Sequence, residues 1–364
     1  TPTTAGDPSG APARDAFAPA APAGPGRARR AARYVVGRLT TAVASLAAVV
    51  VAGFFLFRIL PGDPVRAMTE GREVSAEQRE ELRRQFGLDQ PLWQQFLDYA
   101  AGLLRFDLGT SFQYREPVAD LILDRLGPTL LLAGTGTVIA ALLGLFLGAR
   151  AGWRPGSRGD RVNTAVALFL WSVPTFWLGL LLIVLLASGR GFVPSLFPTG
   201  GMTDPGTGGA LDTALNTAWH MVLPVTTMVA VIYAQYLMIM RSSLMDEKGA
   251  DYLTTARAKG LRDTLVRRRH AVPNALLPTV TLVFLNLGQV VSGVILVETV
   301  FSWPGLGQLF YSGLRVPDLG LVQGLFVVFA ASVILMNLLA DLVYPMLDPR
   351  VQLRSNSRSA GISP

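Results

Sequence analysis

The chain has 364 residues, 51% of them hydrophobic and only 16% charged, with a mean hydropathy of +0.41. Soluble globular chains carry roughly 25% charged residues, so this composition argues against an ordinary water-soluble enzyme. The formal charge is +7; in so apolar a chain that excess reads as basic loops facing a cytoplasm rather than as a nucleic-acid surface. With no cysteine and two histidines, His220 and His270, a disulfide framework, a thiolate metal site and a His-rich metal site are excluded.

In chain order, residues 1–26 are Ala, Pro or Gly at 18 of 26 positions, with Phe17 the one large apolar side chain. Such a stretch cannot bury enough surface to offset its ordering entropy, so 1–33 is expected to be a disordered cytoplasmic tail. It ends in a basic run (Arg27, Arg29, Arg30, Arg33). Leu39–Leu60 is apolar apart from small hydroxyl residues and Arg58, and 34–60 reads as a first transmembrane helix. A cleaved signal peptide is the alternative, but its apolar core is usually only about 7–15 residues. Residues 61–128 are too long for a connector. Ser75 and Gln78 have capping-box spacing for a helix through about Phe86, and Gln94–Leu104 reads as a second helix. Crossing a bilayer takes roughly 20 apolar residues. Thr129–Ala149, Val162–Ala187, Thr217–Met240, Ala275–Thr299 and Leu321–Leu347 all qualify, forming a five-helix core over 129–347.

Six spans put both termini on one side. The segments 1–38, 150–161, 241–274 and 348–364 carry +4, +3, +4 and +2; the alternating segments 61–128, 188–216 and 300–320 carry −4, −1 and 0. The positive-inside rule therefore places both termini, including the tail 348–364, in the cytoplasm, and 61–128 outside as a small helical insertion. Topology accounts for the positive charge, and no nucleic-acid partner is expected. The two lysines, Lys248 and Lys259, do not follow glycine, so no phosphate-binding G-x-x-x-x-G-K-[ST] loop exists. No nucleophile–base pattern is evident either, so the chain is expected to be no enzyme and to carry no cofactor or metal.

The connection 241–274 carries the most information. Two short helices fit, Ala250–Lys259 and Arg262–His270, with Gly260 between them to turn the chain. Here the sequence resembles the permease subunits of ABC importers, whose signature is E-A-A-x-x-x-G followed by I-x-L-P. Thr254, Thr255, Ala256 and Gly260 fill the first part, and His270, Val272 and Pro273 the second. Thr replaces the Glu and the first Ala, and His replaces Ile. That version is similar to the dipeptide/oligopeptide/nickel subfamily, D-Y-x-x-T-A-R-A-K-G-L…R-H-A-x-x-N-A-L-L-P. Asp251, Tyr252, Thr255, Ala256, Arg257, Lys259, Gly260 and Leu261 match it, as does Asn274; Pro273 stands where a basic residue is common. Residues 60–64 (L-P-G-D-P), 87–91 (G-L-D-Q-P), 107–111 (D-L-G-T-S), 172–177 (S-V-P-T-F-W), 298–307 (E-T-V-F-S-W-P-G-L-G) and 347–350 (L-D-P-R) extend the resemblance over about 34–353. It is closest in pattern to the first of the two permeases.

The resemblance implies an all-α membrane protein with six transmembrane helices, in a bacterial inner membrane. It implies half of a translocation path for di- or oligopeptides or similar small solutes. The implied partners are a second homologous permease, two cytoplasmic ATPase subunits that dock on residues 251–261, and an extracytoplasmic substrate-binding protein. The alternative is an autonomous secondary transporter driven by an ion gradient, which would need buried ion-coordinating carboxylates. Polar residues within spans usually face a bundle interior or cavity. Asn286, Gln289, Ser292 and Gly293 cluster on the fifth span and either line the path or bond helix to helix. Asn337 and Asp341 read as structural. Glu298, beside the Trp303–Gly307 turn, marks either an outer gate or a tight connection.

Overall fold

Long apolar runs leave the backbone little choice: away from water only a helix satisfies its own N–H and C=O groups within one segment. The computed structural model describes residues 25–59, 65, 75–85, 87–189, 194–276, 283 and 294–347, and every named element in them is helical. Chain order gives α1 (Pro25–Ile59), α2 (Ala76–Gln85), α3 (Leu92–Leu104), α4 (Val118–Trp153), α5 (Arg158–Ser172), α6 (Thr175–Leu186) and α7 (Ala210–Glu247). These are followed by α8 (Asp251–Ala258), α9 (Asp263–Val266), α10 (Ile295–Val300), α11 (Leu306–Arg315) and α12 (Leu319–Leu347).

Among the described residues, four helices are long and apolar enough to cross a membrane, and α5 with α6 makes a fifth candidate as a bent pair. Their outward faces carry large apolar side chains such as Leu142, Phe146, Phe169 and Trp171. Contiguous exposure of this kind suits lipid, not water. The expected fifth span, Ala275–Thr299, lies mostly outside the described residues, as do 1–24, 61–64, 66–74 and 348–364.

Several sequence expectations change. The helix begins at Pro25, inside the stretch 1–33 expected to be disordered; proline suits a first helical position, and the Ala/Arg-rich residues after it are good helix formers. Val162–Ala187 is not one rod. It breaks with a 97° bend, because Pro174 forces Val173 into an extended conformation (φ −83°, ψ 127°). The boundary at 128/129 is no break either: Val118–Trp153 runs through Gly127 and Pro128. Ser75 and Gln78 form the expected reciprocal cap at the start of α2, with bonds of 3.0 and 3.2 Å.

The centre of the fold is the α4–α7 pair. Gly144, Gly148 and Gly152, one turn apart on α4, lie against the α7 backbone. A Cβ at each would come within 2.6 Å of the carbonyl oxygens of Tyr233, Leu237 and Arg241 respectively. Small residues allow this approach, which in lipid provides the packing that the hydrophobic effect cannot. At 36 and 38 residues, α4 and α7 are about 54 and 57 Å long, well beyond a hydrocarbon core of about 30 Å. Their ends therefore project past the bilayer. α1 leans on α12: Phe57 meets Phe326 edge-on at 5.8 Å, and Arg38 pairs with Asp341 at 3.0 Å.

Candidate functional site

At the end where α4 and α7 finish, a buried cluster of Trp153, Met240, Leu244, Leu253, Ala256 and Val266 seats the 241–274 segment. Leu253 and Ala256 point into it from α8, a three-residue spacing that gives the helix one inward face. Asp251, Tyr252, Thr255, Arg257 and Lys259 remain exposed on the rest of α8 and its end. Gly260 then turns the chain at φ +81°, the left-handed conformation expected for it, with no atom within 4 Å of where a Cβ would stand. Leu261 packs back against the cluster.

The second short helix differs from expectation. It is α-helical only over Asp263–Val266 and then widens to a π-turn over Arg267–Ala271. The Val272 N–H donates to the Arg267 carbonyl, five residues back. Pro273 explains this: it has no N–H, and its ring crowds the carbonyl four residues earlier. Beyond it, the Asn274 amide donates to the Tyr252 hydroxyl at 2.9 Å and to the His270 carbonyl at 3.0 Å, and Tyr252 donates to Glu247. Burial, then the Glu247 carboxylate, pushes the Tyr252 hydroxyl above the usual tyrosine range.

Sequence reasoning missed the fasteners. The Trp153 indole N–H donates to Asp263 at 2.8 Å, its carbonyl accepts from Lys248 at 3.0 Å, and Arg257 lies over its ring at 5.6 Å. One side chain thus ties the end of α4 to both short helices. Arg241 grips Asp160 through two bonds of 2.6 and 2.9 Å, fastening the start of α5 to α7. The signal for Trp153 was its place at the end of the Gly144–Gly148–Gly152 stripe.

At the opposite end, Glu298 is fully buried. Its carboxyl oxygens accept from the Thr129 hydroxyl (2.7 Å) and from the backbone N–H groups of Gly307 (2.7 Å) and Gln308 (3.2 Å), at the start of α11. Thr129 also accepts from the Leu306 N–H, and the Trp303 indole donates to the Pro128 carbonyl. A Cβ on Gly305 would overlap the Glu298 carboxyl. The 298–307 motif is therefore a closed hydrogen-bonded knot. Asp318 does similar work nearby, accepting from Ser111 at 2.6 Å and from the Gln113 and Leu321 N–H groups. Asn286, Gln289, Ser292 and Gly293 lie outside the described residues.

Two matches cover almost all of this architecture. Residues 31–133 match the N-terminal part of the membrane component of binding-protein-dependent transport systems, and residues 140–353 match the inner membrane component itself. The chain belongs to this family of binding-protein-dependent transport permeases. Over 334 residues it is 35% identical to the dipeptide transport system permease DppB of Escherichia coli K12, covering 88% of this chain and 98% of the relative. Over 322 residues it is 36% identical to the glutathione transport system permease GsiC of the same strain, with 88% and 99% covered. The oligopeptide transport system permease AppB of Bacillus subtilis is 32% identical over 325 residues, with the same coverage. The chain is thus a multi-pass inner-membrane permease subunit of an ATP-driven importer, and its relatives are transport components rather than enzymes. In a permease, the seated face at 251–261 and the knot at 298–307 mark opposite ends of the helical bundle.

Proposed function

We propose that this permease forms half of a translocation path for di- or oligopeptides or similar small solutes delivered by an extracytoplasmic binding protein. A second homologous permease supplies the other half, and two cytoplasmic ATPase subunits drive the cycle through residues 251–261. The reading includes six spans, cytoplasmic termini and a helical insertion outside. The observation that carries it is α8 itself, with Leu253 and Ala256 seated in a rigid platform and Asp251, Thr255 and Lys259 turned outward. A short helix with one anchored and one free face suits docking into a partner's groove.

A secondary transporter has less to stand on. Asp341 is paired with Arg38, and Glu298 is saturated by three donors. Both carboxylates are thus already engaged in joining helices.

Because the chain has no cysteine, Thr255→Cys supplies a unique probe. In intact cells it should resist an impermeant maleimide and react after permeabilisation. In the purified complex it should cross-link to an ATPase subunit. Labelling from outside would overturn the topology and the docking together. Asn286 and Gln289, with Ser292 and Gly293, are proposed to line the path. Asn286→Leu or Gln289→Leu should then lower uptake while assembly and ATP hydrolysis persist. A loss of stability instead, about 0.6 kcal/mol each, would assign them to helix–helix bonding.

A further inference from the structure

Between the end of α4 and the π-turn lies a groove of about 540 Å³ that the docking of α8 does not use. Its lining changes character along its length. Leu145, Phe146, Val272 and Leu276 form an apolar wall, and Arg150, Arg267 and Arg268 stand at the other end. No carboxylate lines it, and among the described residues none of the three guanidinium groups has a hydrogen-bond or ion-pair partner. Leu145 and Arg150 are five residues apart on α4, about 7.5 Å along the axis. Along α4 the groove thus passes from the apolar residues toward the basic end within about a turn and a half; in the proposed topology this is the direction from the bilayer to the cytoplasm. The consecutive Arg267 and Arg268 open the π-turn and line the same groove as Arg150.

We propose that this groove binds an anionic phospholipid of the cytoplasmic leaflet, its phosphate held by Arg150, Arg267 and Arg268 and an acyl chain laid along Leu145, Phe146 and Leu276. Guanidinium groups pair well with phosphate oxygens, and basic pockets between spans at the cytoplasmic side suit acidic headgroups. A soluble anion would leave the apolar wall without a function. A cytoplasmic protein would meet the arginines but could not reach Leu145 inside the bilayer. Phe146 is 66% exposed and continues the outward apolar face of α4, so a lipid could enter sideways. The assignment to the cytoplasmic leaflet rests on the proposed topology.

The test uses the complete permease–ATPase complex in nanodiscs of phosphatidylcholine with or without dioleoyl phosphatidylglycerol, followed by detergent extraction and mass analysis of retained lipid. The wild type should retain phosphatidylglycerol selectively. The triple substitution Arg150→Gln, Arg267→Gln, Arg268→Gln should lose that selectivity at least tenfold, and the triple Arg→Lys variant should regain most of it. Co-purification of the ATPase subunits is read in the same samples. Equal lipid retention in wild type and the Gln variant would overturn the inference. So would inorganic phosphate stabilising the lipid-free complex as well as the lipid does, or loss of ATPase subunits with lipid still retained. Absence of ATPase subunits from wild type and variants alike would count against the importer topology, while the lipid comparison would still decide the groove.

Discussion

Glu298 shows how a single side chain can look functional and act as a joint. Its two oxygens take three hydrogen bonds that link Thr129 within α4, Glu298's own helix α10 and the first turn of α11. A buried donor left without an acceptor costs about 1–3 kcal/mol. Glu298→Ala should therefore lower the melting temperature of the detergent-purified permease markedly, with uptake falling in proportion to the folded fraction. Glu298→Gln, which keeps one acceptor oxygen, should be milder. Unchanged melting with abolished uptake would instead identify the residue as a gate. The same reasoning applies to several sequence motifs. Asp107 accepts from the Gly109 N–H, Ser111 bonds to Asp318, and Pro174 makes the bend; each fixes a turn or a tie.

Among elements, the α4–α7 pair makes the tightest backbone contact along a helix face in the described residues. Gly148 has α7 backbone and Met240 where a side chain would sit, with a Cβ position 2.6 Å from the Leu237 carbonyl. Backbone cannot rotate away as a side chain would, so Gly148→Val should destabilise by about 2 kcal/mol through overpacking. Reduced amounts of folded permease and weakened co-purification are expected, measured by fluorescence-detected size exclusion. Normal yield and stability would show that the two helices separate more easily than their packing indicates. This contact was present in the sequence as glycines four apart, yet a search for apolar spans passes over it, because glycine contributes length without hydropathy. The bend at Pro174 was missed for a related reason: composition is blind to direction. Conversely, the cap at Ser75 and the turn at Gly260 were legible, since each depends on local chemistry that short-range spacing reveals. Trp153, Arg241 and Asp160 were not, because their partners are 81 to 110 residues away in sequence.

At the scale of the whole molecule, two long helices run from the bundle to the seat of the 241–274 segment, the face proposed to meet the ATPase subunits. α4 ends at Trp153 and α7 at Glu247, and both ends hold the short helices through side chains rather than through loops alone. Such fasteners tie the 241–274 segment to the spans, as the proposed coupling role requires. The resemblance to peptide-system permeases was readable from the sequence because its motifs are turns with fixed residue needs. The path-lining residues were not, because polar residues inside spans serve packing and transport alike.

The proposed coupling role of this segment is tested most directly at Gly260. Its φ of +81° disfavours any β-branched side chain, and nothing nearby would clash, so Gly260→Val should act by conformation alone, costing about 1–2 kcal/mol. Spans and membrane insertion should be unaffected. The measurement is substrate-stimulated ATP hydrolysis and uptake by the reconstituted importer, with co-purification of the ATPase subunits. The prediction is a normally inserted permease that loses its ATPase subunits, or keeps them and hydrolyses ATP without uptake. Wild-type association together with wild-type coupling would contradict the claim that this turn transmits the motion.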